Sequence, residues 1–158
     1  MDTYRVASGG FIDAEPSLVY LIIADYRKGH PGILPRKYFS PLTIDEGGFG
    51  AGTKLRFSMQ AYGRKQSFHV HITEPESGKI LVETDDESGA VTTFRIVPAD
   101  SRGRSRVTIE TELIRRRGPL GSIERFVTTK FLEKVYAEEL RLLAVVAEEW
   151  KRKSGIAN

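Results

Sequence analysis

The chain has 158 residues, 40% of them hydrophobic and 28% charged, which fits one soluble globular domain over residues 1–158 with one sizeable core. It contains no cysteine, which excludes a disulfide framework, a thiolate nucleophile and a cysteine-ligated metal. The net charge of +3 sits in Arg102, Arg104 and Arg106, in Arg115-Arg116-Arg117 and in Lys151-Arg152-Lys153; without the interleaved aromatics of a single-strand binder, these predict a solvated rim and no nucleic-acid partner.

Met1-Asp2-Thr3-Tyr4-Arg5 lacks the basic start and apolar run of a signal peptide, and no apolar stretch reaches the roughly 18 residues of a spanning helix. A cytoplasmic chain without stable membrane insertion is expected. Tyr4 to Ile12 predicts a strand with Tyr4, Val6, Ser8, Gly10 and Ile12 on one face. Asp13-Ala14-Glu15-Pro16-Ser17 predicts a helix start, with Asp13 as N-cap and proline in the first turn, and Leu18, Val19, Ile22 and Ile23 continue at helical spacing. Asp25 to Pro35, with its glycines, prolines and His30, predicts a short second helix and a loop.

After Pro35 the apolar period changes from near 3.6 to 2. Leu42 and Ile44 begin the alternation, and Glu46-Gly47-Gly48-Phe49-Gly50-Ala51-Gly52 is a glycine-rich turn. Leu55, Phe57, Met59 and Ala61 alternate with Arg56, Ser58 and Gln60; after Gly63-Arg64, Phe68, Val70 and Ile72 alternate with His69, His71 and Thr73. Ile80 to Asp85, then Thr92, Phe94 and Ile96, then Val107, Ile109, Thr111 and Leu113 complete six strands joined by short turns, an antiparallel meander with one apolar and one wet face. Gly118-Pro119 ends it. A helix from about Leu120 to Lys153, roughly 50 Å long, carries Leu120, Val127, Phe131, Val135, Leu142, Val145 and Val146 on one stripe, which needs the apolar face of the meander as partner.

This order of elements, with Ile12-Asp13-Ala14-Glu15-Pro16-Ser17-Leu18-Val19-Tyr20 and Glu46-Gly47-Gly48-Phe49-Gly50-Ala51-Gly52-Thr53, resembles the START and birch-pollen-allergen superfamily (SRPBCC) over nearly the whole chain. The likeness is greatest to its polyketide cyclase/dehydrase and lipid-transport branch. In the family the first motif usually reads Ala-Pro followed by Val-Trp; here Glu15 intervenes and Tyr20 replaces the tryptophan. The resemblance implies an α+β helix-grip fold: a curved antiparallel sheet of about seven strands around a long C-terminal helix, with two short helices after the first strand. It also implies a ligand held between sheet and helix. The physical reason is that a strongly bent sheet cannot touch a straight helix along its whole length, so a mostly apolar gap is left.

That gap is expected against the N-terminal half of the helix, lined by Phe57, Met59, Phe68, Val70, Thr92, Phe94, Val127 and Phe131, with Glu124 and Thr128 near its opening. Glu138 and Glu124 lie near the apolar stripe, and two readings stay open: they reach solvent, or they face a partly wet cavity. The glycine-rich turn precedes a strand and lacks a Gly-Lys-Ser/Thr ending, so it predicts a tight turn and no phosphate site. His69 and His71 share the wet face without a recognisable third ligand, so no metal is expected. Asp85-Asp86-Glu87 reads as an acidic hairpin tip.

The favoured function is binding or transport of a small hydrophobic ligand, such as a lipid, polyketide or quinone-like compound, with no cofactor and with a homodimer allowed. The alternatives are a cyclase, dehydrase or hydrolase acting on such a compound, with no catalytic residues assignable, and a protein-interaction module on the same fold. A buried, desolvated acid or tyrosine in the cavity would favour the enzyme.

Overall fold

The computed structural model describes residues 2–155. Its elements are β1 (Thr3–Ile12), α1 (Pro16–Ala24), α2 (Gly29–Ile33), β2 (Thr43–Glu46), β3 (Lys54–Ala61), β4 (Arg64–Glu76), β5 (Ile80–Asp85), β6 (Val91–Pro98), β7 (Ser105–Ile114) and α3 (Gly118–Ser154). The sheet is antiparallel throughout, in the order β1-β7-β6-β5-β4-β3-β2. Consecutive strands are neighbours from β2 to β7, and β1 closes on β7 over ten residue pairs, from Thr3 with Ile114 to Ile12 with Ser105. Register shifts in β2 and β4 add local bend. This is the α+β helix-grip arrangement.

Side chains alternate as the period of two dictates. Leu55, Val70, Ile72, Leu81, Phe94, Ile96, Val107 and Ile109 are buried toward α1, α2 and α3, whereas Arg56, His69 and Arg95 are exposed. Arg56 is held by Asp45 through Nε and Nη2 at 2.8 and 3.0 Å. His69 and His71 pair on the outer face with Glu87 and Asp86. Asp85 departs from the expectation of a solvated acidic tip. It is buried, accepting from the His69 amide and from the Ser88 amide and hydroxyl, and so ties the hairpin shut.

Asp13 is not the cap of α1. The N-cap is Glu15, without a side-chain cap bond, and Pro16 opens the helix in its place. The glycine-rich turn does more than reverse the chain: it docks on the end of α1. The Tyr26 amide donates to Gly48 O and the Gly50 amide to Ala24 O, while Arg27 covers Gly48, whose φ of 137° suits glycine alone. This docking sets the position of the Tyr26–His30 segment.

The phase of α3 differs from the expected stripe. Its buried side is Gly121, Leu132, Val135, Tyr136, Glu139, Leu143, Val146 and Ala147. Only Val135 and Val146 of the expected stripe are among them; Leu120 is 81% exposed and Val145 is also exposed. The early turns of α3 leave Ile123 and Phe126 in solvent as well. The exposed Leu120, Val127 and Val145 drew the expected stripe away from the face that packs.

Candidate functional site

The two acids singled out from the sequence are surface groups. Glu138 is gripped by Arg141 at 2.6 and 3.0 Å, which holds its carboxyl below the usual range, and Glu124 lies 3.5 Å from Arg116. The interior acid of α3 is the next residue, Glu139, 3% exposed. Burial, with the charge of Glu83, pushes its carboxyl well above the ordinary carboxylate value.

Glu83 faces inward because β5 places Leu81, Glu83 and Asp85 on one side, with Glu83 opposite Ile72 of β4 and Thr92 of β6. Its Oε1 accepts from the Tyr26 hydroxyl at 2.9 Å and lies 3.5 Å from His30 Nε2. His30 is buried between the stacked Tyr26 ring and the edge-on Phe94 ring. Its Nδ1 donates to Ile23 O at 2.7 Å and must carry hydrogen, since a carbonyl only accepts. On the other side, Tyr136 of α3 shares a hydrogen bond with Thr111, which bonds Thr92 at 2.7 Å. Burial raises the hydroxyls of Tyr26 and Tyr136, in Tyr26 with the help of the Glu83 charge. The interior thus holds a polar floor contributed by α2, β5, β6, β7, α3 and the α1–α2 link.

An aromatic wall adjoins this floor. Phe57 stacks on Phe68 at 5.0 Å and meets Phe39 at 5.7 Å; Phe131 of α3 meets Tyr38 at 5.1 Å and Tyr62 at 5.8 Å. Phe57, Met59, Phe68, Glu83, Thr92 and Phe131 stay partly accessible, whereas Leu55, Val70, Leu81 and Phe94 on the same strands are buried. The inward side chains nearest the β3–β4 turn, where the gap expected from the sequence would lie, are therefore less covered than those farther along the same strands.

Of the residues expected to line it, Phe57, Met59, Phe68, Thr92 and Phe131 have this half-open placement, while Val70 and Phe94 are packed in the core. Thr128 and Glu124 lie near the Tyr4 hydroxyl, which burial pushes up. Val127 is exposed. The sequence reading missed Tyr26, His30, Glu83, Tyr136 and Glu139. The signal for Glu83 was its parity with Leu81; for Glu139, its spacing of four from Val135. Among the described residues no group of three or more histidine or acidic side chains is placed to hold a metal.

No family model and no curated protein matches the chain in sequence. Solved structures do match in shape. The solution structure of the KanY protein superposes with a TM-score of 0.82 at 28% identity, covering 94% of this chain and 99% of that one. The Zhui aromatase/cyclase of a Streptomyces species gives 0.78 at 18% identity, covering 98% and 99%. A START superfamily protein from Mycobacterium smegmatis gives 0.70 at 14% identity, covering 92% and 98%.

Proposed function

We propose that this chain, which has the START-like (SRPBCC) ligand-binding fold, binds a small, largely apolar molecule bearing hydroxyl or carbonyl groups in the hollow between sheet and α3. The observation that carries this reading is the half-open state of inward-facing Phe57, Phe68 and Phe131 beside the floor of Tyr26, Glu83 and Glu139. An aromatic wall with a few convergent polar groups is the make-up of a small-molecule site. Native mass spectrometry of the purified chain, followed by extraction of what co-purifies, tests it. A bound apolar small molecule is expected; a bare chain that also fails to bind an apolar dye at 100-fold the expected micromolar constant overturns it.

Chemistry on the ligand is a second reading, favoured by Glu139, on which burial and the charge of Glu83 help to hold the proton. A carboxyl kept neutral can give its proton to a departing hydroxyl, while the neighbouring carboxylate removes a hydrogen from the adjacent carbon. The C–H and C–O bonds break, a C=C bond forms and water leaves. The aromatase/cyclase among the structural neighbours lends this support. A Glu139→Gln variant that binds the co-purified compound as wild type does, but no longer turns it over, is expected. Unchanged turnover overturns Glu139 as the acid.

A further inference from the structure

A second concavity, about 470 Å³, lies between the segment after α2 and the outer side of α3. Its apolar side is formed by Leu34, Pro35 and Leu142, and Arg36, Lys37 and Lys134 stand around it. Among the described residues none of these three cations forms an ion pair. The single acid lining the cleft, Glu138, is already held by Arg141 through both carboxylate oxygens. Three positive charges therefore surround an apolar surface without compensation from the protein.

The cleft also abuts the hollow. Tyr38 lines it, and the Tyr38 ring packs edge-on against Phe131, which walls the hollow from α3. A molecule with its head among Arg36, Lys37 and Lys134 would meet the hollow at the Tyr38–Phe131 contact.

We propose that this cleft recognises the anionic head, carboxylate or phosphate, of an amphiphilic ligand whose apolar part occupies the hollow. The proposal rests on the binding function above and adds the chemical class of the ligand. Arginine and lysine suit either oxyanion, and the apolar floor suits the first carbons of the attached chain.

The test compares decanoate with decanol, which has the same chain length and no charge at neutral pH. Calorimetric titration should show decanoate binding at least about tenfold more tightly, the effect of one charge-assisted contact. Lys134→Gln and Arg36→Gln should each remove most of that preference and change decanol affinity by less than about twofold. Raising the salt concentration should weaken decanoate alone. Equal binding of the two probes by wild type leaves the hollow intact and overturns the anion site. Failure of both to bind overturns the hollow and the anion site together. Inorganic phosphate binding as tightly as decanoate would mean that a free anion is taken and would overturn the amphiphile. Equal loss of both probes in the variants, with the fold retained, would assign Lys134 and Arg36 to packing and overturn their role as head-group contacts.

Discussion

Glu139 of α3 lies within reach of the charge of Glu83 of β5 inside the protein, and that charge adds to burial in favouring the protonated form of Glu139. Two carboxyls in one interior are tolerated because burial favours the neutral form of Glu139 and Glu83 has Tyr26 and His30 as partners.

This arrangement makes stability depend on pH. The folded state holds the Glu139 proton more tightly than the unfolded chain, whose ordinary value is 4.5. The folded state therefore binds more protons above that value, and the stabilisation is complete below it and lost as pH rises toward the folded value. Each pH unit in that window costs about 1.4 kcal/mol. Glu139→Gln, neutral at every pH, should gain on wild type in urea unfolding midpoints as pH rises above 4.5. A difference independent of pH would contradict the assignment.

Tyr26→Phe removes the hydroxyl that donates to Glu83 and leaves a buried acceptor short of a partner. A loss of about 1–3 kcal/mol is expected at pH 7. Tyr20→Phe takes away the hydrogen bond to Glu74 at a more exposed place and should cost less, about 0.5–1.5 kcal/mol. The Tyr20 hydroxyl, pushed up to about 12 by burial and by Glu74, should titrate late in an absorbance titration, and in Glu74→Gln it should return toward the ordinary value of 10.0.

An apolar dye should bind wild type with micromolar affinity, about −8 kcal/mol. Phe131→Asp puts an unpaired charge into the hollow and should abolish binding. Phe126→Asp, on the exposed side of the same helix, should leave both binding and stability within about 0.5 kcal/mol of wild type. A folded Phe131→Asp protein that binds the dye normally would show that the hollow lies elsewhere.

Gly29 begins α2 against the backbone of α1. A Cβ there would sit 2.4 Å from Ile22 O and 2.9 Å from Ile22 Cα, where no side chain can give way. Gly29→Ala should cost about 1–3 kcal/mol and, by shifting His30, weaken ligand binding as well. Equal thermal midpoints for variant and wild type would refute it.

Most of the sheet could be read from the sequence because its information is local. A period of two, interrupted by glycine turns, sets strand, face and register together, and Leu55, Val70 and Ile109 lie where it puts them. The helix was legible in its extent but not in its rotation. Leu120, Ile123 and Phe126 occupy turns that project past their packing partners, so apolar character there reports nothing about the core. The polar floor was hidden for a different reason. Charged residues are ordinarily read as outward-facing, and the cost of turning Glu83 and Glu139 inward is met by groups distant in sequence: Tyr26 lies 57 residues from Glu83. Asp85 was misread in the same way, since its partners are amides that no side-chain pattern reveals.

The pairing of β1 with β7 bears on how the protein is made. Thr3 and Ile114 are partners, so the first strand to leave the ribosome has no neighbour until the last strand follows it. At about 5–20 residues per second, some 110 residues of synthesis leave β1 waiting roughly 5–20 s. Throughout that interval its Tyr4, Val6 and Ile12 are available to other nascent chains. The strand at risk of misassembly during translation is therefore β1, one edge of which the finished fold pairs with β7, and a chaperone that shields β1 as it emerges would raise the yield of folded protein more than one acting after release.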